Sequence, residues 1–230
     1  MKNIGVVLPY TRGSDNFVKE FLKKFKYKKI PVTEYGFNFV VVHDNQNCSK
    51  IFNKNKVNSI VLMTSAEIQK CNFRIINGDR AYLRMLPDFV RKIAKSHGDS
   101  CSVTVIDRSM SEHGAALADK LCNICRTVNI STGNAESAGE ICDRLFDKYG
   151  VVINILNKDS IVDTDIAVVV EDCGNEYGQK CVVIDKKRKR CSDRIINDFY
   201  IPFRIKPPLG ISNLIFAECV DEVNTKVVDI

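Results

Sequence analysis

Apolar positions along this chain recur with two periods, and each period marks its own set of elements. Asn3 to Leu8 is a short apolar run that stops at Pro9 and a polar stretch, the pattern of a strand. Phe17, Val18, Phe21, Leu22 and Phe25 fall at helical spacing behind Ser14, which predicts a helix over Ser14 to Phe25 with Ser14 as N-cap. FNFVVV (Phe37 to Val42) and SIVLM (Ser59 to Met63) are β-rich and bounded by Asn, Gly and Asp. A longer helix is predicted from Asp79 to Lys95, with Tyr82, Leu83, Leu86, Phe89, Val90 and Ile93 on one face. Pro87 is expected to bend or break it.

After that helix the rhythm becomes regular. Ser102 to Ile106 is a strand, Ser111 to Cys125 a helix, Thr127 to Ile130 a strand and Asn134 to Tyr149 a helix stopped by Gly150. Strands follow at Val151 to Ile155, Ile166 to Val170 and Cys181 to Ile184, and Pro207 to Val223 closes with a further helix. Strands alternating with helices of this length predict a parallel sheet with right-handed crossovers. The fold class expected is α/β: a Rossmann-like parallel sheet with helices on both faces, preceded by a smaller α/β domain. The boundaries expected are 1–78 for that N-terminal domain, 79–98 for a connecting helix, 99–206 for the Rossmann-like domain and 207–230 for a C-terminal helix packing back on the core. No internal repeat or low-complexity linker interrupts the chain.

The order strand, helix, strand, helix, strand, followed by DTDIAVVVED, resembles the NAD(P)-binding domain of Rossmann-fold dehydrogenases and reductases. In that superfamily a short helix and an aspartate commonly precede the fourth strand, and Asp163 and Asp165 stand in matching places. The two-part layout is also similar to that of shikimate-dehydrogenase-like and glutamyl-tRNA-reductase-like enzymes, although their catalytic lysine, aspartate or cysteine motifs have no counterpart here. The resemblance implies a dinucleotide site directly after the first strand of the second half. There G-x-G-x-x-G would make a tight turn, admit the pyrophosphate to the backbone and pack the helix close.

The chain reads IDRSMSEHGAA at that point, with Gly114 as its one glycine. Asp107 puts a carboxylate where phosphates would sit, which repels them unless a metal or Arg108 offsets it. Ser109 and Ser111, at the helix N-terminus, are the groups that could still hold an anion. The second strand ends in Ser131, Thr132, Gly133 and Asn134, without the acid that binds the ribose of NAD. The hydroxyls, with Arg126, would favour NADP if a cofactor binds; the simpler expectation is a loop with Asn134 as N-cap. The site is therefore read as degenerate, its residues being Asp107, Arg108, Ser109, Ser111, Gly114, Ser131 and Thr132.

Composition adds limits. The 230 residues are 45% hydrophobic and 27% charged, which suits a folded core, and no run approaches the roughly 18 apolar residues of a membrane span. The N-terminus lacks the features of a secretion signal, so a cytoplasmic location is expected. Richness in Lys, Asn and Ile fits an AT-rich bacterial genome. Ten cysteines are scattered singly, which in that compartment reads as reduced packing thiols. Cys122 and Cys125 form one C-x-x-C, but no second pair completes a metal site, and the pair lies at a helix end where the dipole does not activate a thiol. Three histidines limit metal and acid–base chemistry; His113 and His43 are read as solvated.

The net charge of +6 permits anionic ligands. Two basic stretches, Lys23 to Lys29 and Lys186 to Arg190, are flanked by acids and accompanied by no nucleic-acid motif, so they are read as solvated. The leading expectation is a binding, regulatory or assembly module with a degenerate dinucleotide site and no metal. Its partner would be a small anionic ligand or a protein, with a homo-oligomer allowed. An NADP-dependent oxidoreductase with an atypical loop is the alternative, and a nucleic-acid-associated protein the second.

Overall fold

A computed structural model describes residues 1–9, 27–44, 46–64, 73–98, 100–187, 195–196, 201 and 203–224. The helix expected over Ser14 to Phe25, most of the first basic stretch and the end of the second lie outside the described residues. The chain divides into two compact units, one of Met1–Ala81 with Tyr200–Ile230 and one of Tyr82–Phe199.

The first unit holds a five-stranded sheet in the order β2-β3-β1-β4-β5. Its strands are β1 (Lys2–Leu8), β2 (Lys28–Val32), β3 (Phe37–His43), β4 (Ser59–Leu62) and β5 (Arg74–Ile76). β1 runs parallel to β3 and β4, β4 runs parallel to β5, and β2 is an antiparallel edge. Alternation along each strand sorts the core into two layers. Ile4, Val6, Phe37, Phe39 and Val41 pack with Phe216 and Cys219 of the C-terminal helix, while Val7, Val40, Val42 and Ile60 pack with Phe52 and Cys48 of helix α1 (Cys48–Lys54). Gly5 belongs to the second face because a Cβ there would stand 2.7 Å from the buried Phe52 ring.

Helix α2 (Asp79–His97) continues through Pro87, so the expected break does not occur. Burial on both sides of the proline explains this. Tyr82 and Leu86 before it and Val90 and Ala94 after it are all buried, and the Tyr82 hydroxyl donates to Val169 O at 2.8 Å and Ile184 O at 3.1 Å. Those anchors outweigh the one backbone hydrogen bond that proline removes.

The second unit holds a six-stranded, all-parallel sheet: β6 (Ser102–Asp107), β7 (Thr127–Thr132), β8 (Asn154–Asn157), β10 (Ile166–Glu171), β12 (Val182–Ile184) and β13 (Ile195–Ile196). Its spatial order is β13-β12-β10-β6-β7-β8. Read from β8 and counted along the chain within this sheet, that is third, second, first, fourth, fifth, sixth, the dinucleotide-fold order, with its switch point between β6 and β10. Helix α3 (Glu112–Leu121) joins β6 to β7, and α4 (Ala135–Tyr149) joins β7 to β8. Both bury an apolar stripe, Leu117, Ala118 and Leu121 on one and Ala138, Ile141 and Leu145 on the other. The protein is thus mixed α/β, with parallel sheets flanked by helices.

The later crossovers differ from the resemblance. No helix precedes β10; the connection carries β9 (Ile161–Val162), paired in parallel with β11 (Glu176–Tyr177). Val162 and Tyr177 of this pair pack with Ile106, Ala167, Val169 and Val183 from the sheet. Asp165 ties the connection down by accepting from the Ser102 amide and hydroxyl, each at 2.8 Å. The strand expected at Val151 to Ile155 lies instead at Asn154–Asn157, because Asn154 is in register with Asn129 and their side-chain amides bond at 3.0 Å. α3 ends at Leu121, short of the expected Cys125, in a run of turns through Ile124. Helix α5 (Asn213–Asn224) belongs to the first unit.

Candidate functional site

The turn between β6 and α3 lies at the carboxyl edge of the parallel sheet, beside the switch point where α/β folds collect ligands. Its amide donors, which in a dinucleotide site would face a pyrophosphate, are already engaged. Arg108 N donates to Glu171 O at 3.3 Å and Ser109 N to Glu171 Oε2 at 3.1 Å. Met110 N donates to Asp107 O at 3.2 Å and Ser111 N to Asp107 Oδ2 at 3.0 Å. Four successive donors thus end on this protein's own oxygens.

Asp107 is the centre of that arrangement. It is fully buried, and its carboxylate also accepts from Ser111 Oγ at 2.6 Å and Ser109 Oγ at 3.3 Å. A buried charge persists only when hydrogen bonds replace its water, and these do so. Ser111 relays the contact as N-cap of α3, accepting from Gly114 N at 3.2 Å. Gly114 fits because it lacks a side chain: a Cβ there would stand 2.2 Å from Asp107 Oδ2. The glycine that packs helix on strand in a dinucleotide site here makes room for a carboxylate.

Ser131 and Thr132 end the neighbouring strand, and both hydroxyls are taken. Ser131 is buried and bonds Asn175, whose amide also donates to Ser160 O at 3.0 Å. Thr132 Oγ1 donates to Arg108 O at 3.2 Å and accepts from Asn134 N at 3.1 Å, while Gly133 N donates to Arg108 O at 3.0 Å. The two loops are bonded directly across the gap in which a dinucleotide would lie. Arg126 precedes β7 and so stands at the other end of the strand, about 20 Å of extended chain from Thr132. It is not placed to hold a 2′-phosphate with Ser131 and Thr132.

Asp107, Arg108, Ser109, Ser111 and Gly114 are therefore brought together, with Ser131 and Thr132 at their edge; the Arg108 side chain is exposed. Sequence reasoning missed Glu171 and Asn175. Glu171 was legible as the acid ending IAVVVE, once β10 is placed beside β6; Asn175 lies in an irregular stretch that no periodicity marks. The residues present do not fit a pyrophosphate, which would have to displace a buried, hydrogen-bonded carboxylate of its own sign.

The described cysteines are free thiols, and burial sets their chemistry. Cys125 has Cys101 as its hydrogen-bonding partner rather than its C-x-x-C neighbour Cys122, since Cys101 directly precedes β6 and Cys125 lies two residues before its paired strand β7. Burial pushes Cys125 up to about 12, and Cys173 and Cys181 to about 11, so these thiols stay protonated and unreactive near neutral pH. Among the described residues, no three His, Cys, Asp or Glu side chains stand together as a metal site. No described helix is long and apolar enough to cross a membrane. His113 and His43 are exposed.

No family model matches the chain, and no curated protein matches it. Among solved structures it is similar to quinate dehydrogenase from Corynebacterium glutamicum in complex with NAD, at 10% identity and a TM-score of 0.32 over 74% of this chain and 70% of that one. It is also similar to 5-ketofructose reductase of Gluconobacter sp. strain CHM43, at 10% identity and a TM-score of 0.35 over 80% and 78%. Ornithine transcarbamoylase from Giardia lamblia gives 9% identity and a TM-score of 0.34 over 84% and 75%. Likenesses at this level assign no activity; the strand order and the loop chemistry are what the site rests on.

Proposed function

We propose that the protein is a binding, regulatory or assembly module on a Rossmann-like frame, with the dinucleotide loop turned inward as a structural lock. The observation that supports this reading is the engagement of every amide from Arg108 to Ser111 by Asp107 and Glu171. A dinucleotide gains its affinity at this turn from free N–H groups and a helix N-terminus open to negative charge. Here both are satisfied internally, by an acid that cannot leave without exposing a broken network. The NADP-linked alternative needs the Ser131 and Thr132 hydroxyls, and both are committed elsewhere. Partners would be recognised elsewhere on the surface, as a small anionic ligand or another protein.

The test is a fluorescence titration of NADPH and NADH with the full chain. No saturable change in cofactor emission is expected for either. Saturable binding that weakens when Ser131 and Thr132 are replaced by alanine would overturn the reading in favour of the oxidoreductase.

A further inference from the structure

The first unit carries a cavity of about 390 Å³ at the amino-terminal edge of its sheet, opposite the edge where α/β folds usually bind ligands. Lys2 opens β1, Ser59 opens β4 and Arg74 opens β5, and all three line it together with Lys56, Asn58, Arg80 and Glu222. Four cations therefore surround a single hollow.

Their partners decide what the hollow can take. Arg74 is bound on both sides, to Glu222 and, at 3.4 Å, to Glu218. Lys2 Nζ donates to Glu222 O at 3.3 Å, and Ser59 Oγ donates to Glu222 Oε1 at 2.9 Å. The Glu222 carboxylate is thereby engaged by Arg74 and Ser59, and its backbone carbonyl by Lys2. Glu218 is buried, with its Oε2 unpartnered among the described residues, and its other oxygen faces Arg74. Lys56 and Arg80 have no side-chain hydrogen bond or ion pair with any described residue, nor does the Asn58 amide. Lys56 sits at φ +51° as the residue that ends helix α1, where Val57 N donates back to Phe52 O at 3.0 Å. Two exposed cations without an internal partner and an amide donor thus line an open hollow large enough for a small organic anion.

We infer that this cavity binds a compact oxyanion, a phosphate or carboxylate group, through Lys56, Arg80 and Asn58, with Arg74 as a fixed positive wall. Arg80 supplies a planar, bidentate donor suited to either group, and Lys56 a point charge beside it. The site lies wholly in the first unit, so it stands apart from the reading of the β6–α3 turn, and its test does not depend on that reading.

Thermal unfolding of the full chain is followed against inorganic phosphate and, separately, against citrate, with sodium chloride matching the ionic strength. Binding to the native state alone raises the midpoint, so a saturable rise of several degrees is expected with one or both anions and none with chloride. The phosphate and citrate arms show which oxyanion the pocket prefers. The double variant Lys56→Met/Arg80→Met breaks no internal bond of the described residues and is expected to fold normally and lose the rise. Lys28→Met, on the edge strand, is expected to keep it. No saturable rise in the wild type, or an undiminished rise in the double variant, would overturn the inference.

Discussion

Asp107 and Gly114 act as one unit at the scale of the residue. Replacing a helical glycine with alanine ordinarily stabilises a helix by about 0.5–1 kcal/mol. At Gly114 the sign reverses, because the new Cβ would collide with Asp107 Oδ2 at 2.2 Å. Overpacking costs about 1–3 kcal/mol, and the carboxylate gives up its Ser111 bonds when it moves. Gly114→Ala is therefore expected to lower unfolding stability by roughly 2 kcal/mol in denaturant titrations; a neutral or stabilising effect would show that the carboxylate is not seated against the helix. Of this arrangement the sequence displayed Asp107, the two serines and the lone glycine after the strand. What it hid was direction. Nothing in IDRSMSEHG says that the carboxylate points at Ser111, and Glu171 becomes relevant only when β10 lies beside β6.

At the scale of the element, legibility followed length and periodicity. β6, β7, β10, α3 and α4 have runs long enough to show a period and bury one face each, and they were readable. The two-residue strands β9, β11 and β13 offer no period, and β8 is an edge strand chosen by the Asn129–Asn154 register rather than by its apolar neighbours. The helix through Pro87 was legible from its apolar face; that it does not break there follows from the burial on both sides of the proline, which local propensity does not show. The link between the starts of β6 and β10 makes a testable element. Ser102 amide and hydroxyl donors hold the Asp165 carboxyl below the ordinary carboxylate value of about 3.9. Its folded pKa is depressed, so the stability it contributes is present above about pH 4 and is lost as pH falls through the lower folded value. Asp165→Asn is expected to cost on the order of 1 kcal/mol at neutral pH and less at acid pH, as the carboxylate it replaces becomes protonated. Urea unfolding at both pH values checks this, and an equal loss at both would contradict the assignment.

At the scale of the molecule, the chain supports two α/β units with different capacities. The second has the strand order of a dinucleotide fold and a ligand turn closed by its own carboxylates. The first has open cations around a hollow. The order of elements announced the second unit plainly, because it is continuous in sequence. The first unit is discontinuous, and the return of α5 beside β5 is what brings Glu218 and Glu222 to Arg74. No short-range pattern could show that the cations at Lys56 and Arg80 share a cavity.

The closed turn is tested most directly by thermal unfolding with NADPH in the Lys56→Met/Arg80→Met background, where the first-unit cavity no longer contributes. With Asp107 in place, millimolar NADPH is expected to leave the midpoint unchanged, since a ligand stabilises only a native state that binds it and the proposed closed turn offers no such site. A dose-dependent rise of several degrees in that background would mean that the turn opens to a dinucleotide, and would contradict the closed reading of Asp107.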